Sequence, residues 1–220
     1  MDETTQLLAK WRDGEEGALP RVLDLHLAYV RERARQLLGP GLRAKLTSED
    51  VAHDAVVEFL RYGPKFVPKN GKQFRTLLAR IVANTVADHG NWFRAARRRM
   101  SDETTLERAD GLAGSTASHD PAQQAARREL AVRLRLAMEL IPLRDRQQLI
   151  WREWEQRPYA EIAELRGVSE EAARSGVRRA VTRLRDVMAR LRRGELDELL
   201  DAPLEVDEVA PGEPPPERSV

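Results

Sequence analysis

The amino-acid sequence predicts an all-α fold with two small helical domains. Apolar residues recur at three- and four-residue steps through most of the chain, which is the spacing of one helix face, and no stretch alternates with the two-residue period of a strand. A segment rich in Ser, Thr, Asp and Gly separates two such blocks. The predicted parts are a first domain at 1–100, a flexible acidic linker at 101–121, a second domain at 122–194 and an acidic, Pro-rich tail at 195–220, disordered beyond about Ala202.

Four helices are predicted in the first domain from apolar stripes at 7–11, 19–38, 51–60 and 74–86. Gly39 and Pro40 end the second helix. Ser48 is placed to cap the third, and Glu49 and Asp50 lie in its first turn, where the helix dipole favours negative charge. The fourth stripe leads into a cluster of four arginines: Arg94, Arg97, Arg98 and Arg99.

In the second domain, the sequence predicts a helix-turn-helix that follows two other helices. The first of these ends at Pro142, and the second spans 146–155. Gly167 can adopt the left-handed conformation of a tight turn between helices, and Ser169 can cap the next helix. The residues expected to pack at this corner are apolar or small: Ile162, Ala163, Leu165 and Val168. The second helix carries arginines on its polar side: Arg174, Arg178, Arg179, Arg183 and Arg185. A helical hairpin with a merely solvated Arg face is the alternative.

Charges are segregated along the chain although they nearly cancel. The chain has 37 Lys and Arg against 36 Asp and Glu, a net charge of +1. The first domain carries 18 basic and 12 acidic residues and the second 17 and 10, whereas the linker carries 1 and 5 and the tail 1 and 9. Two basic blocks of this kind indicate nucleic-acid contact. Because a GC-rich genome also favours Arg codons, this inference depends on where the arginines lie rather than on their number.

Composition excludes other classes of protein. The 220 residues include no Cys, so disulfides, thiol catalysis and Cys-ligated metal sites do not occur. No apolar run approaches the roughly 20 residues of a membrane-spanning helix, and the first ten residues lack the basic start and apolar stretch of a signal peptide. We therefore expect a cytoplasmic protein with no membrane association, no bound metal and no other cofactor.

Three groups of motifs occur together. The second domain contains Leu140-Ile-Pro-Leu-Arg-Asp-Arg146, Tyr159-Ala-Glu-Ile-Ala-Glu164 and Gly167-Val-Ser-Glu170. The first domain contains Phe74-Arg, Leu77-Leu and Arg80-Ile-Val-Ala-Asn84 followed by Asp88, and also Asp50-Val-Ala-His-Asp54. In this order the motifs resemble those of a bacterial RNA polymerase sigma factor of the extracytoplasmic-function (ECF) subfamily of the sigma-70 family. The resemblance covers about 4–99 and 122–193.

The resemblance implies a protein without catalytic activity that binds RNA polymerase core and directs initiation at selected promoters. Its expected partners are the clamp of the largest polymerase subunit, the flap of the second subunit and promoter DNA. An anti-sigma factor is a further partner that the resemblance allows. The acidic linker would run through the active-site and RNA-exit region of the polymerase, or would be a plain tether.

The resemblance also assigns roles to residues. Contacts with the −35 promoter element fall to the helix-turn-helix: Ser169, Arg174, Ser175, Arg178, Arg179 and Arg183. Contacts with the −10 element fall to the fourth stripe and the residues just after it: Arg80, Asn84, Asp88, Trp92, Arg94, Arg97 and Arg98. Docking on core polymerase falls to an acidic stripe and its neighbour: Asp50, His53, Asp54 and Glu58. Asn84 would bond an exposed base, and Trp92 or Phe93 would stack on unpaired bases or else pack within the protein.

Two other functions fit parts of the sequence. Four residues match the ligand order of helical HD-type metal-dependent phosphohydrolases, in which His and Asp from separate helices hold a metal that activates water: His26, His53, Asp54 and Asp88. A helix-turn-helix regulator that acts without polymerase would account for the second domain alone.

Two further features have alternative interpretations. Gly176 lies where the family usually has Arg; it weakens the helix by roughly 1 kcal/mol relative to Ala, or it permits close approach to the DNA backbone. The first residues of the tail, 195–200, either extend the last helix or fold back on its arginines as an electrostatic mask.

Overall fold

Helices make up both parts of the chain that the structure describes. The computed structural model describes residues 2–101 and 121–202, with the backbone alone at Pro64, 95–101 and Pro121. The first part contains α1 (Glu3–Arg12), α2 (Ala18–Leu37), α3 (Pro40–Arg43), α4 (Ser48–Leu60), a 3-10 turn (Pro64–Phe66) and α5 (Gly71–Ser101). The second contains α6 (Pro121–Leu140), α7 (Leu143–Leu149), α8 (Tyr159–Arg166), α9 (Glu170–Arg192) and α10 (Leu196–Asp201).

The all-α prediction is confirmed, because neither of these two ranges contains a strand. Within them, no helix combines the length and the apolar character that crossing a membrane would require. The predicted flexible linker and disordered tail fall almost entirely on 102–120 and 203–220, which lie outside the described residues.

Helices α1, α2, α4 and α5 pack around Phe59. Its ring contacts Trp11, Tyr62 and Phe74, with ring centroids 5.5, 6.5 and 5.2 Å away. Buried aliphatic side chains of the predicted stripes complete this core: Leu8, Val22, Val30, Val51, Leu77, Leu78, Ile81 and Val82. Since each such side chain contributes about 1.5–3 kcal/mol on burial, the apolar stripes account for the bundle.

Helix α4 is capped by Thr47 rather than by Ser48. Thr47 Oγ1 accepts a hydrogen bond from the Asp50 N–H at 3.1 Å, and Asp50 Oδ2 accepts one from the Thr47 N–H at 2.9 Å. Such a reciprocal capping box needs the hydroxyl three residues before the acid, and Ser48 stands one residue too late. The helix was therefore predicted correctly and its cap wrongly.

The second part packs on the first through a continuous core. Pro142 separates α6 from α7 as predicted, and α7 continues into a π-helical turn at Ile150–Trp154. Leu136, Leu149 and Leu191 belong to the same apolar cluster as the core of the first bundle. The division into two domains therefore stays a prediction drawn from the linker.

The helix-turn-helix has the backbone that the sequence predicts. Gly167 is left-handed, with φ of 65°, and its N–H donates to the Glu164 carbonyl at 3.2 Å. Ser169 Oγ accepts a hydrogen bond from the Ala172 N–H at 3.2 Å and so caps α9. The turn and cap predictions are confirmed.

The packing of this corner differs from the prediction in part. Ile162 and Ala163 are buried as expected, against Ala173 and Val177 of α9. Leu165 and Val168 were expected to pack inward, and this was wrong: they are 39% and 36% exposed. The four buried side chains fill the small contact between α8 and α9. Leu165 and Val168 therefore remain on the side of this corner that faces solvent.

The start of the tail forms a separate short helix. Helix α9 ends at Arg192, and Gly194 is left-handed with φ of 81°, so α10 does not continue α9. Glu195 pairs with Arg190 and Arg193 at the end of α9. Helix α10 packs against α5 and α9, and its Asp197 pairs with Lys69 at 3.0 Å. Of the two interpretations of 195–200, extension of the last helix is therefore wrong, and the described tail acids do not pair with the recognition arginines.

Gly176 is required by the packing of α9 on α7. A Cβ at this position would lie 2.3 Å from Gln148 Oε1 and 2.7 Å from an Arg166 guanidinium nitrogen. Gln148 is buried, and Arg166 donates to its Oε1 at 2.8 Å. Close approach to DNA was the wrong explanation, because the glycine faces the interior.

We predict that Gly176→Ala is less stable than Gly90→Ala by about 1–3 kcal/mol, the cost of leaving a buried polar group without its hydrogen bond. Both substitutions gain about the same helix propensity, and a Cβ at Gly90 meets only Arg94, at 3.6 Å. Urea unfolding of the two variants measures the difference. Equal stabilities would show that the Gln148 side chain moves aside at no cost.

Candidate nucleic-acid interface

The exposed face of α9 forms an open, basic groove. Its walls are lined by Ser175, Arg178, Arg179, Thr182, Arg183 and Asp186. Arg178 donates to Ser175 Oγ at 3.1 Å, which aligns two of the predicted −35 residues on one surface. Arg178 and Arg179 are both exposed. All of the lining residues belong to α9 and three of them are arginines, as expected of a helix that enters the major groove.

Other predicted −35 residues are held by neighbours. Arg174 pairs with Glu170 at 3.2 Å and lies over the Tyr159 ring, 5.0 Å from its centroid. Arg183 forms an ion pair with Asp145 of α7. Ser169 serves as the cap of α9. Arg183 is thus held where it lines the groove, whereas Arg174 lies outside the lining.

Three predicted −10 residues contact the second part of the chain, although Asp88 stays exposed. Arg80 donates to the Leu140 carbonyl at 2.6 Å. Asn84 is only 5% exposed and donates to Glu139 Oε2 at 2.6 Å. Asp88 accepts two hydrogen bonds from Arg146, at 2.5 and 2.8 Å. In this conformation, Asn84 is not accessible to a base.

The remaining predicted −10 residues lie farther along α5. Trp92 is 60% exposed, and its ring meets the Phe93 ring edge to face at 4.8 Å. Phe93 is itself covered by Lys45, whose Nζ lies 4.4 Å from the ring centroid. Arg94 is exposed and donates to Asn91 Oδ1 at 2.6 Å. The Arg97 and Arg98 side chains lie outside the described residues.

The predicted core-docking stripe lies on α4 and is only partly open. Asp50 and His53 are exposed, although hydrogen bonds from Thr47 hold the pKa of Asp50 below its ordinary value. Asp54 contacts His89 Nε2 at 2.9 Å. Glu58 accepts from Arg61 at 2.7 Å and pairs with Arg135 of α6 at 3.3 Å. The exposed part of the stripe is therefore the first two turns of α4.

The proposed metal ligands do not converge. His26 is buried, its Nε2 lies 3.0 Å from Thr4 Oγ1, and its ring packs on Phe74. His53 is exposed on α4, and Asp88 is held by Arg146. Across 2–101 and 121–202, no three His, Asp or Glu side chains are grouped as a metal site would require.

Comparisons with known proteins identify the family of this chain. Residues 131–184, which include the helix-turn-helix and most of its groove, match the family model of sigma-70, region 4. The chain is also 30% identical over 175 residues to the ECF RNA polymerase sigma factor SigD of Mycobacterium bovis, covering 79% of this chain and 78% of that protein. SigD of two Mycobacterium tuberculosis strains, CDC 1551 / Oshkosh and H37Rv, matches to the same extent. The chain belongs to the ECF sigma factors.

At the level of the family, this ECF sigma factor is a transcription-initiation protein and not an enzyme. Two buried charged side chains are nevertheless ones to which the sequence motifs gave no individual role. Glu139 and Arg146 are buried between α5, α6 and α7, where they engage Asn84 and Asp88. The sequence did carry a signal for a buried carboxylate: Glu139 stands between Met138 and Leu140, on the buried side of an apolar stripe.

Burial sets the protonation of Glu139. Loss of hydration raises its pKa to about 7, and the carboxylates of Glu58 and Asp88 add to this, although Arg146 and Asn84 act in the opposite direction. Arg146 lies 3.9 Å away, too far for a hydrogen bond. The folded protein thus binds a proton at Glu139 that the unfolded chain has released above its ordinary pKa of 4.5.

We predict that Glu139→Gln gains stability relative to the natural chain as pH rises from 4.5 to about 7. The raised pKa means that the contribution of neutral Glu139 is complete below pH 4.5 and is lost toward pH 7. The difference between the two proteins should grow by roughly 1–3 kcal/mol across this window, measured by urea unfolding at several pH values. Glu129→Gln is the control without a slope in this window: because Lys65 lowers the pKa of Glu129, the stability that this carboxylate contributes is complete above pH 4.5 and is lost only below it. A pH-independent difference for Glu139→Gln would contradict the raised pKa.

Proposed function

We propose that this sigma factor binds RNA polymerase core and directs it to promoters by contacting the −35 element with α9 and the −10 element with α5. The observation that carries the proposal is the exposed, arginine-lined groove of α9 within the segment that matches sigma-70, region 4. Family membership supports the polymerase as partner. Promoter-specific initiation, rather than DNA binding alone, is therefore the activity to test.

Recognition of the −35 element would use the first half of α9. Arg178 and Arg179 would donate to guanine edges or phosphates in the major groove, where a guanidinium can form two parallel hydrogen bonds. Arg174 would fix the register by a phosphate contact, since its exposed pair with Glu170 is a weak competitor. Ser169 and Ser175 would add hydroxyl contacts to the backbone of the duplex.

Recognition and opening of the −10 element would use the exposed end of α5. The Trp92 ring offers a face on which an unpaired base can stack, which contributes about 1–3 kcal/mol per base. Arg94, with Arg97 and Arg98, would bind the phosphates of the same strand. Asn84 would bond a base edge once the helices that cover it have moved away.

Core binding would use the first two turns of α4. Asp50 and His53 are exposed there, and Asp54 is half exposed beside His89. A small acidic surface of this kind suits a basic surface on the polymerase clamp, which would steer association. The flap of the second subunit would contact the helix-turn-helix.

In vitro transcription tests the proposal as a whole. Core polymerase with this protein should start transcripts at a subset of genomic promoter fragments that core alone does not use. Purified protein without core should bind the same duplex fragments weakly. Tight duplex binding without core and no new start sites would instead indicate a polymerase-independent regulator.

We predict that Arg178→Glu with Arg179→Glu lowers promoter-specific transcription at least about 100-fold, because each lost base contact costs about 1–3 kcal/mol and the new charges repel phosphate. Core binding should stay unchanged. The matched control reverses two exposed arginines nearer the other end of α9, Arg185→Glu with Arg192→Glu. Equal losses in both variants would mean that net charge, and not this groove, determines promoter choice.

We predict that Asp54→Arg weakens core binding about tenfold or more through like-charge repulsion, measured by surface plasmon resonance with immobilised core. Duplex binding by α9 should not change. Asp24→Arg, an exposed acid on α2, is the control for the change in net charge. If both substitutions weaken core binding equally, α4 is not the docking surface.

A further inference from the structure

The turn between α3 and α4 holds Lys45 in a defined position. Leu42 and Leu46 lie on either side of it along the chain, and both pack against the apolar core. The Lys45 N–H donates to the Leu42 carbonyl at 2.8 Å, and Arg43 donates to the Arg35 carbonyl of α2 at 2.9 Å. Lys45 is exposed. A side chain on a turn anchored in this way loses less conformational freedom on binding a ligand than one on a mobile loop.

The Lys45 ammonium group lies against the aromatic end of α5. Its Nζ is 4.4 Å from the centroid of the Phe93 ring, which is within the range of a cation–π contact. The Phe93 ring meets the Trp92 ring edge to face at 4.8 Å, an arrangement that aromatic pairs favour. Phe93 is partly buried, whereas Trp92 is 60% exposed. Phe93 thus supports the Trp92 ring from one side and leaves much of it open to solvent.

The charge of Lys45 can attract an anion. Among the residues that the structure describes, Lys45 contacts an aromatic face and pairs with no carboxylate. An ammonium group has three N–H donors, and a ring engages only one side of it. The other donors can therefore bind a phosphate oxygen while the contact with Phe93 persists.

Two rings between two cations form the pattern of a single-strand site. Proteins that bind unpaired nucleic acid combine aromatic faces, on which bases stack, with cations that bind the backbone. Here Lys45 lies on the side of Phe93, and the exposed Arg94 follows it on α5. A role in packing alone leaves Trp92 unexplained, since a ring that is 60% exposed gains little from burial.

We propose that Lys45 contacts a backbone phosphate of the unpaired −10 strand, beside the base that stacks on Trp92, and that Phe93 is the residue that positions the Trp92 ring. The inference rests on the proposed function, because it adds a residue from a separate segment to the −10 site. None of the sequence motifs includes Lys45, and only the fold brings its turn to the end of α5. The ligand is a phosphodiester strand with an unpaired base, not a duplex.

Salt dependence tests the phosphate contact. The probe is a labelled single strand that carries the −10 region of a promoter found by the transcription assay, and its binding to holoenzyme is measured by fluorescence anisotropy at several salt concentrations. Lys45→Gln should weaken binding about two- to fivefold, as expected for one exposed ion pair. The slope of log affinity against log salt should fall by about 0.7, the value for one phosphate of a single strand. Lys45→Arg should restore both quantities.

The matched control is Lys10→Gln, which removes an exposed lysine on α1 and should keep the natural slope. Core affinity, measured by surface plasmon resonance, should be the same for all of these variants, because Lys45 lies outside the acidic stripe of α4. An unchanged slope in Lys45→Gln, or an equal loss in Lys10→Gln, would overturn the phosphate contact.

Base stacking tests the role of Phe93. A strand with 2-aminopurine at successive positions should lose fluorescence at the position that stacks on Trp92. Phe93→Leu should reduce this quenching, because the Trp92 ring loses its support, and Phe93→Tyr should restore it. Lys45→Gln at saturating holoenzyme should keep the quenching. Circular dichroism verifies that each variant stays folded. Natural quenching in a folded Phe93→Leu variant would refute the positioning role.

Trp92→Leu separates this inference from the proposed function. If it leaves both strand binding and quenching unchanged, the proposed role of this end of α5 fails, and the site proposed around it fails too. If Trp92→Leu weakens strand binding while Lys45→Gln keeps the natural salt slope, the proposed function stands and only the contact of Lys45 is overturned. Loss of affinity in both variants, with a lower slope in Lys45→Gln alone, supports the inference.

Discussion

The arrangement of this molecule depends on a buried polar contact between α5 and the helices of the second part. Arg146 binds both oxygens of Asp88, and Glu139 accepts from Asn84 a few ångströms away. Groups of this kind are costly to bury unless each finds its partner, so they allow one packing of the two parts and exclude others. Burial of the apolar cluster that runs through both parts provides most of the stabilisation, and the polar contact fixes how the two parts are oriented.

The helix-turn-helix depends less on this contact than on its own backbone. Gly167 supplies the left-handed turn and Ser169 the cap, and four small or medium side chains fill the space between α8 and α9. Gly176 allows α9 to lie against Gln148 of α7. The groove of Arg178 and Arg179 therefore lies on a helix whose position is fixed by α7 and α8.

The near-zero net charge has a structural counterpart. Acids at the N-terminal end of α10 pair with bases of other segments, Asp197 with Lys69 and Glu195 with Arg190 and Arg193. The carboxylates Asp88 and Glu58 of the first bundle pair in turn with Arg146 and Arg135 of the second part. Charges that are segregated along the sequence are brought together by folding. The recognition groove of α9 keeps exposed arginines after this neutralisation.

The sequence by itself determined the all-α fold, nearly all of the helices, the turn at Gly167 and the arginine face of α9, because these depend on apolar spacing, caps and glycine conformation within a few residues. It also identified the family, since the motifs are local. The predictions were wrong where a residue's role depended on what surrounds it. Thr47 rather than Ser48 caps α4, Leu165 and Val168 are exposed rather than packed inward, and Gly176 faces Gln148 rather than DNA. Only the tertiary structure decided that Arg80, Asn84 and Asp88 are bound by Leu140, Glu139 and Arg146 and that α10 contacts Lys69 and Gln73. These contacts join residues from about 50 to 130 positions apart, and no local pattern specifies which distant partner a side chain meets.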